Sequence, residues 1–280
     1  MHKYHLPTEK LSPFVNRFYE IDIPHPSTFN ENRIIPMGTG IITFVTRGNP
    51  LIENIEGIFK FPNYALSGQC FPTFSFECNT PLTFYGISLK PTATYKMFNV
   101  YIANILNDFI PLEEIIGDEA EQTRHKLLQT NSTEERFSIL SDFMLKLCPA
   151  ETPYMHLDVL VDLIYQKQGM LKVQELCEHE DVSRRYLEKQ FKKFIGFSPG
   201  QFIKQVRFNF ACTQLAECSD HVDDILMKFG YFDRSHFMKY FKKCFGDDLS
   251  VLYGENNNLF KTVFSRILRS DVENTFHPKN

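Results

Sequence analysis

Between residue 1 and about residue 110 the apolar residues come in short runs broken by proline and glycine. Residues 17–23, 41–46, 64–66, 71–77 and 82–89 are rich in β-branched and aromatic side chains. Pro36, Gly38, Gly40, Gly48, Pro50, Pro62, Gly68, Pro81 and Pro91 punctuate them, so each run reads as a strand bounded by turns. Evenly spaced short strands predict a sandwich or a small barrel. From about residue 111 the apolar spacing lengthens to three and four. Ser132-Thr-Glu-Glu135 reads as a capping box ahead of Phe137, Leu140, Phe143, Met144 and Leu147, a helical stripe. Pro149 and Pro153 then interrupt helix and mark a linker. The expected fold class is α+β, with three parts. Residues 1–150 form a β-rich unit with a helical end, and residues 151–254 form an all-α unit. Residues 255–280 hold an amphipathic helix (Phe260, Val263, Phe264, Ile267, Leu268) and a tail.

Inside the helical unit one pattern is written twice. Ser183-Arg-Arg-Tyr-Leu-Glu-Lys-Gln-Phe-Lys-Lys-Phe-Ile-Gly196 returns as Asp233-Arg-Ser-His-Phe-Met-Lys-Tyr-Phe-Lys-Lys-Cys-Phe-Gly246. Arg184 and Arg234, Lys189 and Lys239, Phe191 and Phe241, and Gly196 and Gly246 are each fifty residues apart. An offset kept over so many positions is an internal repeat. Ser183 and Asp233 are N-cap types, and the two glycines stand where left-handed C-caps belong. Leu187, Phe191 and Ile195, like Phe237, Phe241 and Phe245, recur every four residues and predict one apolar stripe per helix. Arginine and lysine occupy the other sides.

Each copy follows a shorter helical segment, 173–180 and 223–230, across a tight turn. Two short helices joined this way, the second basic, make a helix-turn-helix. Residues 156–168 predict a leading helix with Leu157, Leu160, Val161 and Ile164 inward. Pro199, with Ser198 as its cap, opens a long helix to about Cys218, whose Phe202, Val206, Phe210 and Leu215 face inward and fix the separation of the two motifs.

Charge complicates the picture. The chain of 280 residues carries a formal net charge of −4, where nucleic-acid binders are usually basic. Residues 156–250 hold fourteen cations and fourteen acids, but nine of the fourteen cations lie on the two repeated helices. Segregated charge sets a local field that a net figure hides. Seven cysteines with no Cys-x-x-Cys pair suit reduced thiols in a cytoplasm. No apolar run reaches the roughly 20 residues of a membrane span, and no signal peptide is legible, so a cytoplasmic protein off the membrane is expected. His2, His5 and His25 are scattered, so neither metal nor cofactor is expected, and no catalytic constellation or phosphate loop predicts an enzyme.

The motifs Leu187-x-x-x-Phe191-Lys192, Gly196-Phe-Ser-Pro199, Arg207-x-x-x-Ala211, Gly230-Tyr231 and Phe237-x-x-x-Phe241-Lys242-Lys243-x-x-Gly246 carry a resemblance to the AraC/XylS family of bacterial transcription regulators. The N-terminal half resembles the cupin-like sensor of Bacteroidota members of that family, through Leu11-Ser-Pro-Phe-Val15 and Phe84-Tyr-Gly-Ile-Ser-Leu-Lys-Pro91. The sequence departs from the pattern at Cys177 and Leu226, where the family has a small alanine, and in lacking the proline of the second Gly-x-x-Pro ending.

The resemblance implies a sequence-specific regulator of transcription that binds double-stranded DNA, with a small effector held in front and a homodimer formed through residues 111–148. It places Arg185, Glu188 and Lys189 toward bases, with Arg184 and Lys192 on phosphates. In the second motif Arg234, Ser235, His236 and Lys239 face the groove and Lys242 lies nearer the backbone. Arginine and lysine suit guanine edges and glutamate suits cytosine N4. Arg207 is assigned a structural role. The competing reading is a ligand-binding or protein-interaction module whose helix-turn-helix no longer reads DNA, in keeping with the balanced charge and with Leu226.

Overall fold

The computed structural model describes residues 2–29, 32–34, 38–54, 57–70, 74–151, 155–217, 221–245 and 249. Expectations that fall on Gly246, Cys218, the 152–153 part of the linker, the first three residues of the 71–77 run and the 255–280 helix and tail lie outside these residues.

Among the described residues ten strands form two antiparallel sheets. β1 (His2–His5), β2 (Val15–Ile23), β9 (Leu82–Leu89), β4 (Ile41–Arg47), β7 (Tyr64–Ser67) and β10 (Phe109–Pro111) make the larger one, in that spatial order. The smaller one runs β3 (Arg33–Ile34), β8 (Phe74–Glu77), β5 (Leu51–Asn54) and β6 (Gly57–Lys60). Alternation along the strands sends side chains to opposite faces of the large sheet. Val45, Ala65 and Leu82 meet Ile52, Phe74 and Phe76 of the small sheet. Phe44, Leu66, Tyr85 and Ile87 meet Phe137, Leu140, Phe143 and Met144. The last four belong to α4 (Thr133–Leu147), which lies on the sheet with α3 (Glu119–Gln129). The N-terminal half is therefore three layers deep: small sheet, large sheet, helices.

The strands expected at 17–23, 41–46, 64–66 and 82–89 emerge close to those bounds, whereas β1, β3, β5, β6 and β10 have no counterpart among the expected runs. Ser132 caps α4 by accepting from Glu135 N at 3.3 Å. The reciprocal half of the box is missing, since Glu135 bonds the Thr130 hydroxyl instead. A buried polar chain pins α4 to the sheet. Tyr85 donates to Glu20 at 2.9 Å, Arg136 donates to the Tyr85 hydroxyl at 2.7 Å, and Thr133 donates to Glu20 at 3.1 Å. Burial and the Glu20 contact push the Tyr85 phenol up to about 12, so it stays a donor across the physiological range.

The helical half has its own core. α5 (His156–Gln166), α6 (Val173–Glu180), α7 (Arg184–Ile195), α8 (Pro199–Glu217), α9 (Val222–Lys228) and α10 (Arg234–Phe245) enclose Leu160, Ile164, Leu176, Phe191, Phe202, Phe208, Phe237 and Phe241. Phe208 gathers the second motif, with its ring 5.3 Å from Phe237, 4.9 Å from Tyr240 and 5.5 Å from Phe245.

The two halves meet along α7. Its C-terminal end lies against the 3₁₀ turn Ile102–Ile105, with α1 (Ala93–Phe98) beside it. Tyr95 and Tyr101 stack at 4.9 Å, and the Phe194 ring sits 4.7 Å from Tyr95. Lys193 Nζ lies 4.3 Å over the Tyr101 ring. The bond to Lys193 holds the Tyr101 phenol below its ordinary pKa. A polar clasp completes the junction, as both Thr92 and Lys96 reach the Asp158 carboxylate of α5. Gly196 ends α7 at φ 85°, and a Cβ there would come within 2.7 Å of Ile102. Both its left-handed backbone and its nearness to the turn require glycine.

Candidate nucleic-acid interface

α6 ends on Asp181, in the left-handed region at φ 50°, and the chain turns through Val182 into the cap of α7. Ser183 Oγ accepts from Tyr186 N at 3.2 Å. Leu187, Phe191, Phe194 and Ile195 are buried. Arg184, Arg185, Lys189 and Lys192 are exposed and Glu188 is half-buried, so all five candidates stand clear of the buried stripe. Arg184 Nε donates to Glu188 Oε1 at 3.1 Å, a pair at the protein surface. A surface pair one helical turn apart contributes only about 0.3–0.5 kcal/mol, so either partner is released cheaply to another ligand.

The second motif repeats this plan. α9 ends at Phe229 and Gly230, the glycine at φ 71°. Ser235 N donates to the Asp233 carboxylate at 2.8 Å, the expected cap. Phe237, Phe241, Cys244 and Phe245 are buried, while Arg234, Ser235, His236, Lys239 and Lys242 are exposed. Arg234 reaches back to Asp223 at 3.4 Å, another exposed pair. The left-handed residue comes one place earlier in the second motif: Tyr231 and Phe232 separate Gly230 from the cap, where only Val182 separates Asp181 from it.

One cation of the repeated pattern leaves the basic face. Lys193 faces the rings of the N-terminal half, as described above. Lys192, Lys242 and Lys243 are exposed. Helical spacing alone puts the double lysines on an equal footing, because it cannot see a second domain. Arg207 packs beneath the second motif with its guanidinium 5.4 Å from the Tyr231 ring, in keeping with a structural role. Lys204 lies 3.7 Å over the Tyr240 ring, and burial lowers its pKa. Among the described residues no group of three or more His, Cys, Asp or Glu side chains is gathered closely enough to hold a metal ion. None of their helices is long and apolar enough to cross a membrane.

A family model described as a helix-turn-helix domain matches residues 176–252, the stretch that holds both motifs. This domain is of the AraC type. A second model, described as a domain of unknown function (DUF6597), matches residues 3–111, the strand-rich region. The chain is 31% identical over 205 residues to an uncharacterized HTH-type transcriptional regulator of Haemophilus influenzae, an alignment covering 71% of this chain and 61% of that protein. It is 33% identical over 81 residues to the lactose operon transcription activator of Staphylococcus xylosus, covering 29% of this chain and 28% of that one. The chain thus spans less than two thirds of the length of these relatives. An apo form of a ToxT variant from Vibrio cholerae superposes with a TM-score of 0.50 at 12% identity, covering 89% of this chain and 99% of that chain. At that identity the likeness is one of fold: β-rich in front, AraC-type helices behind.

Two of the three departures from the AraC-type pattern are absorbed by the core. Cys177 is 7% exposed and Leu226 is 1% exposed, both within the apolar core of the helical half.

Proposed function

We infer that the chain is a sequence-specific DNA-binding regulator of transcription, with residues 1–150 as the sensing unit, 151–254 as the reader and 255–280 as an appendage. The observation that carries this reading is the repeated separation of faces. In both α7 and α10 the apolar stripe is buried and the same register of basic and hydrogen-bonding side chains is exposed. A merely solvated charged face has no reason to recur in register fifty residues later.

Base reading falls to Arg185, Glu188 and Lys189 in α7 and to Arg234, Ser235, His236 and Lys239 in α10. Arg184, Lys192 and Lys242 lie toward phosphates. α8, with 19 residues, is roughly 28 Å long and separates the two motifs by about one turn of duplex, which is roughly 34 Å. A single subunit is expected to protect two successive major grooves on one face of an asymmetric site. Hydroxyl-radical footprinting that finds one protected groove, or a palindrome bound only by dimers, rejects this arrangement. A small effector held by the sensing unit would act on the reader through α7.

Substitutions in α7 test the reading residue by residue. Arg185→Ala should leave the melting temperature unchanged and weaken specific binding by about 1–3 kcal/mol, concentrated at one or two base pairs. Lys192→Ala should weaken all sequences alike and flatten the salt dependence, as loss of one phosphate contact does. Binding to specific and scrambled duplexes at several salt concentrations reads both. An Arg185→Ala protein that keeps full specificity would favour the competing reading, a helix-turn-helix kept for protein contacts.

A further inference from the structure

Phe232 stands fifty residues after Val182, which packs against the helical core. In the first motif a single residue, Val182, lies between the left-handed Asp181 and the cap. In the second, Tyr231 turns inward, 6% exposed with its ring 4.9 Å from Phe237. Phe232 is then left over. It is 88% exposed, the highest value among the exposed large apolar side chains described. A lone apolar residue at a surface is ordinary and by itself says nothing. Its place is what matters. It directly precedes Asp233, the cap of α10, and so stands beside Arg234, Ser235 and His236, the exposed first turn of the helix.

We propose that Phe232 reads the C5 methyl of a thymine in the major groove at the second half of the DNA site. This deepens the reading given above and rests on it. The N-terminal turn of a recognition helix is the part that comes closest to base edges. Arg234, Ser235 and His236 supply hydrogen-bonding groups, which cannot detect a methyl. The major-groove edge of thymine offers one acceptor and one apolar group, and an aromatic side chain is a fitting partner for the latter. Within the free chain the ring gains little from its position, since almost all of it faces solvent. Against a thymine methyl both apolar surfaces leave water together.

The test removes that methyl and nothing else. A preferred duplex is first selected from random sequence with the full-length protein, and each thymine is then replaced singly by deoxyuridine, which keeps every hydrogen-bonding group. Wild-type binding should fall about fourfold at one position, the factor expected for burying a single methyl. Phe232→Ala should bind the thymine duplex about fivefold more weakly and should be indifferent to deoxyuridine there. Because the side chain is exposed, this variant should melt like wild type.

The proposal is overturned by a wild-type protein indifferent to deoxyuridine at every position, or by a Phe232→Ala protein that keeps the thymine preference. It is equally overturned if the variant binds as tightly as wild type, or loses affinity for all sequences alike. Failure of the wild-type protein to select any sequence is a different result, and it removes the regulator reading itself.

Discussion

Phe191→Ala is expected to unfold the helical half of the chain. The ring is fully buried, 6.0 Å from Phe202 in an edge-to-face pair, at the point where α7 meets α8. Truncation removes the transfer free energy of the ring and leaves a cavity that rigid helices fill poorly, a cost of about 3–5 kcal/mol. A domain of this size has about 5–15 kcal/mol in all, so one side chain takes a large share of it. Thermal unfolding followed by circular dichroism should show the transition fall by more than 10 °C, with DNA binding lost in step with helix content. Arg185→Ala, six residues away on the exposed side, supplies the contrast because it should lose specificity with no loss of helix. Should Phe191→Ala melt within two degrees of wild type, the packing described for α7 is wrong.

Gly68→Ala is expected to open the junction between the halves. A Cβ at this position would lie 2.0 Å from the carbonyl oxygen of Ile105 and 2.8 Å from its carbonyl carbon. Those are backbone atoms, and they cannot rotate away as a side-chain tip can. The strand end cannot retreat either, because Gly68 N donates to Asp108 O at 3.1 Å and Asn107 N donates to Gln69 O at 2.8 Å. The 3₁₀ turn must therefore shift as a block relative to α7, with a cost of about 3 kcal/mol for the overpacking. Amide hydrogen exchange should accelerate at residues 102–108 and 193–196, while α8 and α10 keep their protection. Unchanged exchange at 193–196 would mean that the turn and the helix are not mechanically joined.

Much of this architecture can be read from the residues. The repeat is legible because it needs only local rules: a cap, a stripe every four residues and a glycine stop. Ser183, Gly196 and the Phe191 and Phe241 stripes all fall where those rules put them. Leu82–Leu89 was equally clear, since a strand between two others is apolar on both faces. The strands that escaped are short or polar. β6 is Gly-Ile-Phe-Lys at a sheet edge, half-buried at its first residue and exposed at the rest, with no alternation to betray it. β1 is His-Lys-Tyr-His and owes its form to pairing with β2, a partner a dozen residues away.

The exposed faces of the candidate interface were legible for the same local reason, residue by residue from Arg184 to Lys242. The fate of Lys193 was not. It differs from Lys192 by one position on the helix, a rotation of about 100°, and only the tertiary fold brings Tyr101 beneath it. The turn before the second helix has the same length in the sequence as the first, and only the backbone shows its left-handed residue one place earlier, at Gly230. Tyr231 and Phe232 look alike until one of them is found buried and the other bare.

The position of Lys193 also carries a thermodynamic consequence. α7 presents Arg185, Lys189 and Lys192 on one side and Lys193 and Phe194 to Tyr101 and Tyr95 on another. One rigid element therefore belongs to two equilibria at once. Whatever factor a change at the tyrosines imposes on duplex affinity, the duplex imposes the same factor on the tyrosines. The Tyr101 phenol, already held low by that lysine, thereby becomes a gauge of the coupling. Any change in its titration when DNA is added measures, from the N-terminal side, how strongly the two halves of the molecule constrain each other.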